Sequence, residues 1–127
     1  MQRYSLNLKP EKSAKAYGSG LRISTKNATI VCKSINGMQL GKAKKFLERV
    51  LSEKDEINRR YYSKTTLTVL ELLNSAEKNA EFKGLDTERL FVKASSHKSF
   101  TFFRPRRMKM RGQQRKVSNL QVVLEQR

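Results

Sequence analysis

Between Phe102 and Lys116 the chain reads FFRPRRMKMRGQQRK, with seven Lys or Arg residues and no acid. Arg104, Arg106, Arg107, Lys109, Arg111, Arg115 and Lys116 would repel one another in any compact monomer, so the stretch cannot enter a core. The fold must carry it outward and draw counter-charge from elsewhere. Flanking residues narrow the choice. Leu90, Val92 and Ala94 alternate with Phe91, Lys93 and Ser95, and Phe100 and Phe102 resume an alternation further on. Beyond the basic stretch, VSNLQVVLEQR places Leu120, Val122 and Leu124 on one side. Two such strands predict an antiparallel ribbon. Pairing Leu90–Ala94 with Leu120–Leu124 puts its midpoint near Arg107. The run from His97 to Arg107, at about 3.3 Å per residue, then carries the tip roughly 30 Å beyond the body. Two strands make no core at that distance. They must lean on a partner, and their charge says which kind.

The rest of the chain reads as the body. SAKAYGSGLRIS predicts a short strand with a kink at Gly18-Ser19-Gly20. Ser24 is placed as an N-cap, and Ala28, Val31, Cys32 and Ile35 follow at helical spacing up to Asn36-Gly37. Leu40, Ala43, Phe46, Leu47, Val50 and Leu51 mark a second amphipathic helix, with Lys42, Lys44, Lys45 and Arg49 elsewhere on its surface. SEKDEINRR is a charged connector, too short to separate domains. A longer helix begins near Ser63, with Leu67, Val69, Leu70, Leu73, Ala76 and Ala80 as its apolar face and Gly84 as its terminator. Thr87 opens a short turn. At 127 residues the chain should be a single domain, with a body over about 1–96 and 118–127 and an extended hairpin over about 97–117.

Charge distribution says more than the net +17. Met1 to Leu47 carries ten basic residues against one acid, Glu48 to Glu88 seven against nine, and Arg89 to Leu124 ten against none. Two basic flanks around a near-neutral middle describe a folded body with two basic surfaces, where a uniformly cationic disordered tail would be basic throughout. Such surfaces call for a polyanion, nucleic acid first and an anionic membrane surface second. Arg and Lys neutralise phosphates, Arg also forks and stacks, and Phe and Met offer contact to unstacked bases. Pro105 suits an edge or bend, and Gly112 a sharp turn.

Other chemistry is poorly supported. Cys32 alone allows no internal disulfide, and with the single His97 it supplies no zinc site. Cys32 reads as a small core residue and His97 as a surface or RNA-contacting one. The acids Glu48, Glu53, Asp55, Glu56, Glu71, Glu77 and Glu81 read as solvated faces. No phosphate-cradling GxxxxGK[ST], GxSxG, CxxC or HExxH occurs, so neither an enzyme nor a cofactor is expected. No uncharged run exceeds eight residues, whereas a membrane span needs about 20. MQRYSLNLKPEK lacks the apolar stretch of a secretory signal. These features read as a soluble intracellular protein.

Several stretches, in order, resemble one family: the large-subunit ribosomal protein numbered twenty-two in bacteria and archaea and seventeen in eukaryotes. RYSL at Arg3–Leu6 and GSGLRIS at Gly18–Ser24 look like the archaeal and eukaryotic start. INGMQLGKAKKFLERV, Ile35–Val50, is similar to the family's I-x-G-M-x-x-x-x-A-x-x-[FY]-L. NSAEKNAEFKGLD, Asn74–Asp86, is similar to N-A-x-x-N-A-E-x-K-G-L-D, with Ser75 departing from it. The resemblance spans nearly the whole chain. It implies an α+β fold, three helices packed on a small three-stranded antiparallel sheet, with a long protruding β-hairpin. It further implies a cytoplasmic protein of the large ribosomal subunit, bound to ribosomal RNA and neighbouring ribosomal proteins. Its hairpin would run towards the polypeptide exit tunnel and meet the nascent polypeptide near the tip.

Two features depart from the family. Archaeal and eukaryotic members carry a long basic insertion where only SEKDEINRR stands here, which marks a reduced form. The tip reads PRRMKMRGQ in place of R-A-x-G-R-x. The MQRYSL start and short form lean towards a reduced eukaryotic member. The expected RNA contacts are Arg3, Lys9, Lys15, Arg22, Lys26, Lys42, Lys45 and Lys98 together with Arg104, Arg106, Arg107, Lys109, Arg111, Arg115 and Lys116. No membrane and no homo-oligomer are expected. One rival is a DNA-bending architectural protein, since helices plus a basic β-arm with proline describe those too. Another, a nuclease or RNA-modifying enzyme, lacks any site constellation.

Overall fold

The structure is a computed structural model describing Tyr4, Leu6 and residues 8–107 and 109–127. Its order is β1 (Ser13–Leu21), α1 (Thr25–Ile35), α2 (Leu40–Leu51), α3 (Ser63–Phe82), β2 (Leu90–Lys98), β3 (Phe102–Phe103), β4 (Gln114–Arg115) and β5 (Ser118–Gln126). Single 3-10 turns precede β1 and β2. Three of the strands form an antiparallel sheet in the order β1-β5-β2, and β3 pairs with β4 alone. The architecture is the α+β one that the resemblance implies.

The helices form where periodicity places them. Ser24 does precede α1, although its side chain makes no capping bond, and Ala28, Val31, Cys32 and Ile35 are all buried. Burial pushes the Cys32 thiol up to about 12, which suits an inert core residue. Gly37 then turns at φ +82°. Its N–H bonds to Val92 O at 2.9 Å, and Val92 N–H returns to Met38 O at 2.9 Å. The α1–α2 turn thereby covers part of the outer edge of β2, which would otherwise offer unpaired backbone groups. Helix α3 ends at Gly84 in a Schellman closure, with Gly84 N–H on Glu81 O and Leu85 N–H on Ala80 O. One expectation for α3 fails. Leu67 is 48% exposed, and the buried positions of the first turn are Thr65 and Thr66. Thr66 Oγ1 donates to Tyr61 O at 3.1 Å, which satisfies that hydroxyl inside.

Leu40, Leu47, Leu73, Leu90, Leu120 and Leu124 lie fully buried between the helices and one face of the sheet. The central strand β5 buries Gln121 and Val123 on its other face as well, beside Leu6 of the N-terminal segment. The sequence-based register is corrected by two residues: Leu90 pairs with Gln126 and Val92 with Leu124. A two-residue slip keeps every apolar side chain on the same face, so alternation could not distinguish the registers. The hairpin midpoint therefore moves beyond Arg107, towards Lys109.

The connector between α2 and α3 is tight. Ile57 and Arg60 exchange N–H···O bonds of 2.8 and 3.0 Å across Asn58 and Arg59, both at positive φ (49° and 61°). Such a turn favours Asn-Gly, and a side chain at its second position is strained. Replacing Arg59 by glycine is expected to stabilise the fold by about 0.5–1 kcal/mol, the left-handed penalty less the extra unfolded-state entropy of glycine. A urea midpoint that fell in Arg59→Gly would show the Arg59 side chain to be worth more than the strain.

Candidate nucleic-acid interface

The two arms of the hairpin leave the body as continuations of β2 and β5. Regular pairing runs to Lys98 opposite Ser118 and resumes at Phe102 opposite Arg115. Between them three residues, Ser99 to Thr101, face two, Lys116 and Val117, so one residue is extra at the neck. A bulge of this kind bends a ribbon and re-aims it. Ser99 N–H to Val117 O, at 3.2 Å, ties the neck. Beyond β3 and β4, Arg104 N–H reaches Gln113 O at 2.9 Å and the chain closes through turns, with Gly112 at φ +61°. The ribbon is thus shorter in regular pairing than alternation alone predicts, because Pro105 has no N–H to donate and the tip must reverse.

The hairpin has no core of its own. Phe100, Phe102, Phe103 and Met110 are among the large apolar side chains left exposed, Phe100 by 61% and Phe103 by 58%. Phe102 is partly covered by cations: the Arg115 guanidinium lies 5.4 Å and that of Arg22 5.9 Å from its ring centre. These contacts bring Arg22, just after β1, to the base of the hairpin. Gly20 lies there too. It sits at φ +66°, and a Cβ on it would come within 3.2 Å of the Phe100 ring, so glycine serves both the bulge of β1 and the close approach.

Five of the described cations make ion pairs. Lys44 pairs with Glu77, Arg49 with Asp55 at 3.0 Å, Arg89 with Asp86 at 3.6 Å, and Lys93 and Arg127 both with Glu125. The hydrogen bond from Lys93 is the main cause holding the Glu125 carboxyl below its usual range, with Arg127 adding to it. Those of the expected RNA contacts that are described fall among the unpaired cations, as do Lys12, Lys33, Lys54, Arg59, Arg60, Lys64, Lys78 and Lys83. Among the described residues, Lys9, Lys15, Arg22, Lys26, Lys42, Lys45, Lys98, Arg104, Arg106, Arg107, Lys109, Arg111, Arg115 and Lys116 make no ion pair. All but Lys15 and Arg115 are exposed. Arg3 lies outside the described residues.

The fold gathers only some of them. Lys26 on α1, Lys98 at the end of β2, and Arg115 and Lys116 on the returning arm line one cleft of about 380 Å³. Arg104, Lys109 and Arg115 line a smaller one with Pro105 and Met110. Lys42 and Lys45 stand apart on α2. There they line a groove of about 930 Å³ with Arg49 and Lys54 on its rim and Met38, Phe46 and Phe91 among its apolar walls. Sequence reasoning missed this groove; the one available signal was Met38 and Phe46 flanking the Lys42–Lys45 run. Lys15 lies over Tyr4, 5.1 Å from the ring centre, while Lys9 stands just before β1.

His97 Nε2 meets Tyr17 Oη at 3.5 Å and Asn119 Nδ2 at 3.2 Å, neither of which orients it as a base. Among the described residues no cluster of His, Cys, Asp and Glu could hold a metal, and no helix is long and apolar enough to cross a membrane.

Residues 16–125 match the family model described as Ribosomal protein L22p/L17e. The chain is 38% identical over 146 residues to the large ribosomal subunit protein uL22 of Methanococcus vannielii, covering 97% of this chain and 95% of the relative. It is 35% identical over 147 residues to that of Methanocaldococcus jannaschii, covering 98% and 94%. A third relative, from Methanopyrus kandleri, is 37% identical over 112 residues, covering 72% and 70%. The first two comparisons run longer than this chain's 127 residues. The relatives thus have residues with no counterpart here, as a shortened connector would leave.

Proposed function

The chain belongs to the ribosomal protein L22p/L17e family, and from that premise we propose that it is a structural constituent of the large ribosomal subunit that binds ribosomal RNA. The family is not one of enzymes, and its membership removes the ground for the DNA-bending reading, which rested on composition. The body, residues 1–96 and 118–127, docks as a single copy through its basic N-terminal flank and α2, against RNA and neighbouring ribosomal proteins. The hairpin, residues 97–117, threads between RNA segments towards the polypeptide exit tunnel, where its tip meets the nascent chain.

One observation carries this reading. The hairpin cations from Arg104 to Lys116 make no ion pair among the described residues, and the chain from Arg89 to Leu124 holds no acid to pair them. Unspent charge beside exposed Phe100, Phe102 and Phe103 suits RNA, which offers phosphates and unstacked bases together. The mechanism is electrostatic and geometric: the ribbon's shape sets which RNA strands its cations bridge. A density map of the intact ribosome that contains this chain tests it. The expected result places the body on the outer face of the large subunit near the tunnel exit and the hairpin inside, enclosed by RNA. A hairpin lying along α1–α3, or free in solvent, would overturn the proposal.

A further inference from the structure

The cleft at the hairpin's base is built against its own charge. Lys26, Lys98, Arg115 and Lys116 line it with Ser24 and Thr25, and no carboxylate does. Like charges placed together in a folded protein repel unless an anion lies between them. Two further observations point the same way. The Nε of Arg115 is buried without a hydrogen-bond partner, a charged donor that folding should not leave unmatched. Lys26 stands in the first turn of α1, which holds no acid, and Ser24 makes no side-chain cap bond there. A cation at the positive end of a helix is unfavourable, and an anion at that place is favourable.

We propose that this cleft holds one phosphodiester of RNA, and that the phosphate brackets the hairpin to the body. The inference rests on the RNA-binding reading above and adds a position and a consequence. Lys26 belongs to the body, Lys98 to the outgoing arm, and Arg115 and Lys116 to the returning arm. Only a ligand with several acceptor oxygens can serve all three elements at once. They surround the bulged neck, where regular pairing lapses and Ser99 N–H to Val117 O is the backbone bond across the gap. Occupying the cleft therefore fixes the angle at which the hairpin leaves the sheet. RNA would set the direction of the ribbon as well as neutralise it.

The test uses the full ¹⁵N-labelled chain, with inorganic phosphate as the probe, replacing chloride at constant ionic strength. Saturable shifts are expected at the amides of Thr25, Lys26, Arg115 and Lys116, with slower hydrogen exchange at Ser99. Lys98→Ala combined with Lys116→Ala should weaken phosphate binding about tenfold or more, as the loss of charge-assisted contacts implies. Lys26→Gln, which leaves the strands untouched, should do the same from the opposite wall. Shifts that rise without saturation, or that are as large at Lys42 and Lys45 as in the cleft, overturn the bracket. So does saturable binding that survives both variants. Binding of the wild-type chain to large-subunit ribosomal RNA is measured alongside. Its failure would sink the RNA-binding reading, whereas RNA binding without cleft-localised phosphate shifts would sink the bracket alone.

Discussion

Arg107→Glu is expected to impair incorporation into the large subunit far more than Lys78→Glu. Both residues are exposed, and among the described residues neither makes an ion pair. Each substitution should therefore change the stability of the free protein by no more than about 0.5 kcal/mol. The difference between them reports the partner. Arg107 stands at the tip, where the sequence offers no acid, while Lys78 lies on α3 in the near-neutral middle of the chain. Neutralising Arg104, Arg106, Arg107, Lys109 and Arg111 together should produce the largest effect on binding. The slope of log K against log salt is expected to flatten by about 0.7–0.9 for each phosphate contact removed. Measuring ribosomal RNA affinity across a salt series for the wild type and this variant gives the number of contacts directly. Equal incorporation defects for Arg107→Glu and Lys78→Glu, or an unchanged slope in the five-fold variant, would remove the hairpin from the interface.

What the sequence made legible follows from the range of each interaction. The helices were readable because their determinants are local: Ala28, Val31, Cys32 and Ile35 recur on one face within a few residues of Ser24 and Gly37. Strand faces were readable for the same reason. Register was not, since alternation repeats every two residues, and pairing Leu90 with Leu124 or with Gln126 buries the same set. Leu67 was misplaced because the helical period alone cannot tell where α3 enters the body, and Thr66 near its start satisfies its hydroxyl inside through Tyr61 O. The extra residue at the neck has no local signature at all; it exists only relative to the opposite arm.

Charge shows the same limit more sharply. Lys44 and Lys45 are adjacent and chemically identical, yet Lys44 meets Glu77 of α3 while Lys45 faces outward. That division depends on how α2 packs on α3, thirty-three positions along the chain. The cleft at the hairpin's base likewise joins Lys26 to Lys98 and Lys116, which only the β1-β5-β2 order brings together. Composition announced a polyanionic partner, but the fold decides which cations are left for it.

Leu124→Ala should be the most damaging single truncation in the body. Leu124 is fully buried on β5, the central strand, opposite Ala14 of β1 and Val92 of β2. Truncating a buried leucine costs about 2–5 kcal/mol, more when the surroundings cannot collapse into the space. Here they cannot easily do so: Ala14 is already minimal, and Val92 is branched at Cβ and held in both sheet and core. A loss in the upper half of that range would consume much of the roughly 5–15 kcal/mol that stabilises a domain of this kind. Urea denaturation of the free protein should show a lower midpoint with an unchanged slope. Phe103→Ala makes the contrast, since that ring is exposed on the hairpin and its removal should barely move the midpoint. Because β5 carries the returning arm of the hairpin into the body, Leu124→Ala weakens the hairpin's anchorage without touching one of its cations. If Leu124→Ala unfolded at the wild-type midpoint, β5 would not be the packed centre of the sheet, and the ribbon would have no fixed root from which to reach the RNA.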